Sequence, residues 1–216
     1  MNLFDINNIF LKVFNYPISY IELIGTLSGL ISVWLATKSN IWTWPIGLIN
    51  VICFFAIFYQ IHLYSDMFLQ LYFFITSIYG WIIWQKQNKS PTLPITTLTH
   101  THRIVLAVSI VLCTLIVGIF VKNIHVVFPS IFKHPASYPF IDTFVAILSI
   151  MANFLLARRK LENWILWIAV DVISVWLYFK KSIMLISIEY VIFLFLATLG
   201  LISWLKLINE NRIGTR

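Results

Sequence analysis

Charge is what this sequence has least of. Asp, Glu, Lys and Arg make up only 11% of its 216 residues, against 60% hydrophobic, and the mean hydropathy is +0.90. A water-soluble domain of this size must cover its surface with polar groups, and this chain has too few. Histidine is missing where chemistry would need it. All five His residues fall between the long apolar runs, so no run holds an HExxH pair or a His–carboxylate metal set. GxSxG is absent, and no Ser–His pair shares a run. The two cysteines, Cys53 and Cys113, sit deep in apolar runs without metal-ligand spacing; they read as small apolar side chains with no disulfide. There is no Gly-rich filter-like loop and no repeated ring of charge of the kind a channel uses. These absences point away from an enzyme, a metal centre and a cofactor. The net charge of +7 does not point to nucleic acid either. The Lys and Arg residues lie between apolar runs, where they set topology and meet anionic lipid.

What remains is a set of apolar runs about 20 residues long, the length at which an α-helix crosses a hydrocarbon core. A β-barrel would show short alternating segments instead. The reading is an all-α integral membrane protein with seven transmembrane helices, at about 21–37, 42–61, 65–85, 103–122, 140–157, 163–179 and 182–205. Residues 1–19 have apolar positions spaced by three and four and read as an amphipathic interfacial helix. Ser19-x-x-Glu22 resembles a capping box opening the first span. Pro91 and Pro94 mark a polar connector over 86–102, and Pro129 and Pro135 an exposed loop over 123–138.

The stretch Trp42–Trp84 has an echo about 120 residues later. Leu35, Trp44, Phe73, Gly80, Ile82, Trp84 and Lys86 match Leu155, Trp164, Phe193, Gly200, Ile202, Trp204 and Lys206, and Glu22 matches Asp142 conservatively. An internal repeat divides the chain into a first three-helix unit over 20–86, a connector over 87–138 containing the bland fourth helix, a second unit over 139–206, and a tail over 207–216. With one span between them, the two units have the same orientation, giving a 3+1+3 chain of parallel repeats. Placing the N-terminus outside puts ten of the fifteen Lys and Arg residues on the inner side and five on the outer. The positive-inside rule therefore expects the N-terminus outside and the C-terminus inside.

Five of the eight acidic residues fall within or at the edge of apolar runs. Glu22, Asp66 and Asp142 sit in first turns, where a carboxylate meets the positive end of the helix dipole. Asp171 and Glu189 lie seven or eight residues into their spans, too deep to cap. At that depth an ionisable group is costly unless it faces a polar cavity or a partner, and no Lys or Arg lies at matching depth. Trp164, Trp167, Asp171, Ser174 and Tyr178 form one stripe on the sixth span, and Trp44, Gly47, Asn50 and Phe54 do the same on the second. Asp66 and Gln70 share a face of the third. Trp42, Trp84 and Trp204, near span ends, read as interfacial belt residues. Electron-rich rings beside carboxylates suit a flat cationic or polar ring, while Asn50, Gln70 and Tyr72 can bond hydroxyls or a carboxamide. A passive ion or water channel is the alternative of another class; saturation with substrate separates the two.

The motifs WxWPIGLIN, YSDMFLQLYF and YGWIIW in the first half, with NWILWIAVD and GLISW in the second, resemble the PnuC family of bacterial vitamin transporters over nearly the whole chain. The resemblance implies a 3+1+3 fold related to the SWEET sugar transporters and a homotrimer in the bacterial inner membrane. It also implies uptake of nicotinamide riboside, kept going by a cytoplasmic kinase that traps the substrate; sister families carry riboflavin or thiamine. The matching positions for substrate are Asn50, Asp66, Gln70, Tyr72, Trp164, Trp167, Asp171, Glu189 and Tyr190. The second half lacks a proline matching Pro45. With no ion-pair relay visible in the spans, facilitated diffusion by alternating access is the expected mechanism.

Overall fold

The structure is a computed structural model and describes residues 3–13, 16–61, 64–87, 95–128, 138–180 and 184–214. The four connector prolines, and His62 at the break between the second and third spans, lie outside these residues. Among the described residues seven helices follow in order: α1 Tyr20–Thr37, α2 Thr43–Gln60, α3 Tyr64–Gln87, α4 His100–Val127, α5 Pro139–Ala157, α6 Glu162–Lys180 and α7 Met184–Gly214. All seven are long and apolar enough to cross a membrane. The hydropathy boundaries agree with the helix ends to within about three residues, except that α4 continues to Val127 and α7 to Gly214. Backbone hydrogen bonding continues past the apolar edge, so hydropathy marks where a helix leaves lipid and not where it stops. His100, His102 and His125, expected in connectors, consequently lie in the end turns of α4.

The N-terminal segment departs from the expected helix. Ile9–Val13 (β1) and Tyr16–Ser19 (β2) pair as an antiparallel hairpin, with Ile9 opposite Ser19 and Lys12 opposite Pro17. Pro17 has no N–H to donate and disfavours the α conformation at Tyr16, so the spacing of three and four has no helix to build on. The segment is tied down by Gln60 at the end of α2, which donates to the Phe4 carbonyl (2.7 Å) and accepts from the Ile6 N–H (3.2 Å). Ser19 does cap α1, its Oγ accepting from the Glu22 N–H at 3.3 Å. The Glu22 carboxylate, however, accepts from the Tyr16 hydroxyl at 2.9 Å.

Six helices close a ring. α1 packs on α2 and α2 on α3; α5 packs on α6 and α6 on α7; the ring is completed by α1 against α7 and α3 against α5, while α4 lies outside it on α5. Lipid removes the hydrophobic drive for this association, so close packing and hydrogen bonds hold the ring. The turn after α1 and the turn after α5 share one backbone plan. Lys38, Ser39 and Asn40 N–H groups bond the carbonyls of Leu35, Ala36 and Leu35, and Arg158, Arg159 and Lys160 bond those of Leu155, Leu156 and Leu155. Ser39 and Arg159 both have φ 51°.

Four tryptophans seal this end of the ring, which we term the tryptophan end. Trp44 meets Trp84 edge-to-face at 5.3 Å, Trp164 meets Trp204 at 5.6 Å, and Trp84 and Trp204 touch across the middle at 6.3 Å. Trp84 Nε1 donates to the Ala157 carbonyl (3.1 Å) and Trp204 Nε1 to that of Ala36 (3.0 Å), each crossing from one three-helix unit to the other. These bonds bring the C-terminal ends of α1, α3, α5 and α7 to the same end. Gly80 and Gly200 seat the rings of Trp44 and Trp164; a Cβ on Gly200 would lie 2.6 Å from the indole, closer than atoms can approach. The belt reading of Trp84 and Trp204 is therefore corrected: both are 0% exposed. A residue near a span end faces lipid or a neighbouring helix depending on its azimuth, which position along the span does not reveal. Trp42 is 62% exposed, as a belt residue would be.

Candidate functional site

The side chains singled out from sequence distribute over three settings. Asn50, Tyr72 and Trp164 are engaged in packing between helices. Asn50 Nδ2 donates to the Gly25 carbonyl of α1 at 2.8 Å, and it fits because Gly29 leaves room: a Cβ there would lie 2.6 Å from the amide nitrogen. Tyr72 donates to the Ile150 carbonyl of α5 at 2.8 Å. Two residues beyond Gln70, it points about 200° away from the face shared by Asp66 and Gln70. Trp164 is locked over Gly200 in the tryptophan seal, with its Nε1 buried and without a hydrogen bond.

The second setting is the middle of the ring. Asp171 on α6 is 3% exposed, accepts no hydrogen bond from the described residues, and lies within electrostatic reach of Tyr190 on α7. One turn on, the fully buried Ser174 hydroxyl lies against the Tyr190 phenol of α7, close enough to interact but outside good hydrogen-bond geometry. Gln70 on α3 also has a buried, unbonded Oε1. Trp167 is half-buried between the tryptophan seal and a second core formed by Ile110, Leu148 and Val170. Orphaned polar atoms at this depth are the exception in folded proteins and need an explanation. They occur on α3 in one three-helix unit and on α6 in the other, and no Lys or Arg lies at mid-span in any helix.

The third setting is the opposite mouth, beneath the hairpin. The Tyr190 ring stacks on Tyr178 of α6 (5.4 Å, 11°) and stands edge-on to Phe193 (6.3 Å). Tyr178 lies within electrostatic reach of Asp66, Asp142 and Glu189. Asp66 is exposed in the first turn of α3, and Glu189 is half-buried near the start of α7. Tyr16 bridges to this group from the hairpin. Burial, its bond to Glu22 and the charges of Glu22 and Glu189 push its hydroxyl up to about 12. Tyr16 had no signal in the sequence, since its place depends on a hairpin brought over α1; Phe193 had one only as the repeat match of Phe73. The structure thus brings Asp171 and Glu189 within electrostatic reach of Tyr190, and leaves Gln70 with a buried, unbonded oxygen on α3. It commits Asn50 and Tyr72 to backbone carbonyls and Trp164 to the seal.

A separate cavity of about 280 Å³ lies between Phe4, Ile21, Ile24, Ile49, Ile52 and Cys53. Its walls are apolar, and Ile24, Ile49 and Ile52 are exposed on the outer faces of α1 and α2, so it offers a polar solute nothing to bond.

Comparisons agree with this architecture. The sequence profile described as nicotinamide mononucleotide transporter matches residues 19–206. The nicotinamide riboside transporter PnuC of Escherichia coli (strain K12) is 33% identical, the alignment covering 98% of this chain and 97% of that protein. A riboflavin/roseoflavin transporter, RibM, of Streptomyces davaonensis is 25% identical over 89% of this chain and 87% of its own. The crystal structure of a vitamin B3 transporter PnuC superposes with a TM-score of 0.67 at 24% identity, covering 88% of this chain and 83% of that one, which establishes the shared fold. A ring of membrane-crossing helices around buried, unpaired polar groups is a carrier's architecture, and this chain belongs to the PnuC family of multi-pass membrane transporters.

Proposed function

We propose that this protein imports nicotinamide riboside across a bacterial inner membrane by facilitated diffusion. The observation that carries this reading is Asp171: a carboxylate 3% exposed, with no hydrogen bond from the described residues, in a ring that has no Lys or Arg at mid-span. An unpaired charge at that depth is costly, and a guest carrying positive charge offsets it. Nicotinamide riboside is such a guest, a pyridinium on a ribose. Its mononucleotide adds a phosphate, which would meet Asp171 and the carboxylates of the mouth with repulsion and find no cation in return. Riboflavin and thiamine are the competing vitamins; riboflavin lacks the fixed positive charge, and thiamine has it but no ribose. Trp167 stands one helical turn before Asp171 on the same face of α6, and Tyr190 lies within electrostatic reach of Asp171, so both offer ring faces beside the carboxylate.

Transport proceeds by alternating access of the α1–α3 and α5–α7 units. A cytoplasmic kinase traps the product and keeps the gradient inward. The N-terminus lies in the periplasm and the C-terminus in the cytoplasm, as the ten-to-five distribution of basic residues favours. The protein is a transporter and not an enzyme. It assembles as a homotrimer, for which the largely exposed apolar faces of α4, such as Ile104, Val108, Leu112 and Ile116, are available. Binding to the purified protein tests the substrate. Nicotinamide riboside should bind at least tenfold tighter than the mononucleotide, riboflavin, thiamine or free nicotinamide, and Asp171→Asn should erase most of the preference. Tighter binding of the mononucleotide, or indifference to Asp171→Asn, refutes the charge argument. A reporter fused after Arg216 that works only in the periplasm refutes the orientation.

A further inference from the structure

The tryptophan end is closed by more than tryptophan. The hydrophobic core there draws Ala36 from α1, Trp44 from α2, Trp84 from α3, Leu156 and Ala157 from α5, Trp164 from α6 and Trp204 from α7, so all six helices of the ring meet in it. Into this junction the segment before α4 inserts Ile95, 6% exposed. The segment is then bound to the turn between α5 and α6 as a short parallel bridge. The Thr96 N–H donates to the Arg159 carbonyl (3.1 Å), and the Leu161 N–H donates back to the Thr96 carbonyl (3.0 Å). Lys160 Nζ donates to Thr96 Oγ1 at 2.8 Å.

Glu162 fastens the arrangement. Its Oε1 accepts from the Leu98 N–H (2.9 Å), from Arg103 Nε (2.9 Å) and from Arg103 Nη2 (2.8 Å). One carboxylate oxygen on the first turn of α6 therefore holds both the segment and the start of α4. The other oxygen, Oε2, is buried with no hydrogen-bond partner among the described residues. A carboxylate 6% exposed that bonds through one oxygen and leaves the second desolvated is held in place at a cost that opening would relieve. The guanidinium of Arg159, whose carbonyl the segment grips, lies over the Trp84 ring at 4.2 Å. The segment thus grips the residue whose guanidinium covers Trp84, one of the two tryptophans that join the three-helix units at their sealed end.

A solute at the depth of Asp171 can reach the tryptophan end only through this junction, because every ring helix contributes to it. We infer that Ile95–Arg103 is a latch over the tryptophan-end gate. Glu162 is its positioning residue: it touches no substrate and acts by keeping Ile95 seated. Release of solute at this end requires Ile95 to withdraw and the Thr96–Lys160 bridge to part. The inference rests on the transport reading above for its direction of flow, but the latch itself can be examined without a ligand.

The test uses the full-length protein with Cys53→Ala and Cys113→Ala. Partner residues on bridged strands have Cα atoms roughly 5 Å apart, inside the span a disulfide accepts, so Thr96→Cys/Lys160→Cys can be cross-linked by oxidation. Oxidised protein in liposomes should take up labelled nicotinamide riboside at least tenfold more slowly than the same protein after reduction, while binding in detergent changes less than twofold. Equal uptake in the oxidised and reduced states would make the segment a permanent brace and overturn the latch. A second arm needs no substrate. Ile95→Cys should react slowly with an impermeant maleimide from the tryptophan end, and adding Glu162→Gln should speed that reaction about tenfold, because a charge-assisted hydrogen bond is roughly twice as strong as a neutral one. An unchanged rate also overturns it. Failure of the parent protein to take up nicotinamide riboside would count against the substrate, and the maleimide arm would still decide the latch.

Discussion

The ring has two seams where its three-helix units meet, and they are built differently. At the α3–α5 seam, directional bonds run the length of the contact. Tyr72 bonds the Ile150 carbonyl, Asn153 Nδ2 donates to Thr76 Oγ1 at 2.6 Å, Arg158 Nε donates to the Tyr79 hydroxyl at 3.2 Å, and Trp84 reaches Ala157. At the α1–α7 seam, Trp204 to Ala36 is the hydrogen bond among the described residues. The rest is Gly29 against Phe193, with Ala36 and Ala197 in the core. Positions about 120 residues from Asn153 and Thr76 are Val33 and Leu196, apolar where the other seam is polar. A seam bonded at several successive turns keeps its register. One pinned only at the tryptophan end is free to part at the other, where Tyr16 and Glu22 lie beside Glu189. Under the proposed alternating access, α3–α5 would serve as the hinge and α1–α7 as the opening.

The strongest way to break the comparison is to ask whether the two units are twins at the seal. Gly80 and Gly200 each lie under a tryptophan ring with no room for a Cβ. Exchanging a helical glycine for alanine ordinarily gains up to about 1 kcal/mol of helix propensity. Here overpacking opposes that gain, with a usual cost of roughly 1–3 kcal/mol. Gly80→Val and Gly200→Val, which add more bulk and less propensity, should both destabilise by the upper part of that range in a denaturant titration. A tolerated substitution at one seat alone would mean that only one unit depends on its tryptophan.

A smaller effect is expected at the site. Trp167 stands half-buried between the seal and the Asp171 region, whereas Trp42 is exposed at the start of α2. Trp167→Ala should weaken nicotinamide riboside binding by the worth of a desolvated cation–π contact, roughly 1–2 kcal/mol, or about ten- to thirtyfold. Trp42→Ala removes the same side chain and should leave affinity nearly unchanged. Equal effects would place Trp167 among the packing residues with Trp164.

These contrasts also mark what was legible in the sequence. The seven spans were readable because hydrophobic length is a local property, and the register of Gly80, Trp84, Gly200 and Trp204 was readable because the pattern recurs. The burial of Trp84 and Trp204 was not, since it depends on which helix lies opposite. The same repeated Gly–Trp register that suggested duplication was in fact a packing signal. Asn50 and Tyr72 have the chemistry of ligand-binding groups, yet each is taken up by a carbonyl on a neighbouring helix that no local pattern announces. The Glu162–Arg103 contact joins residues 59 apart and escaped notice for the same reason. Asp171 was legible because an acid in the middle of an apolar run is anomalous wherever it points.

The smallest predicted effect bears most directly on the seams. If α3–α5 owes its register to hydrogen bonds, the Asn153–Thr76 pair should show a measurable coupling in a double-mutant cycle of Asn153→Ala and Thr76→Ala. The expected size is modest. Interhelical hydrogen bonds inside membranes average about 0.6 kcal/mol in such cycles, because the separated helices also find partners. Thr76 has one at hand, since its hydroxyl lies 2.9 Å from the Tyr72 carbonyl of its own helix; losing Asn153 therefore leaves no orphaned donor, and the coupling should fall near that average rather than above it. Val33→Ala and Leu196→Ala, at the matching places in the other seam, should lose packing energy singly but couple by less than the uncertainty of the measurement, roughly 0.3 kcal/mol for independent sites. A coupling as large at Val33–Leu196 as at Asn153–Thr76 would show that directional bonding does not distinguish the seams. The assignment of hinge and opening would then have to rest on the hairpin end alone.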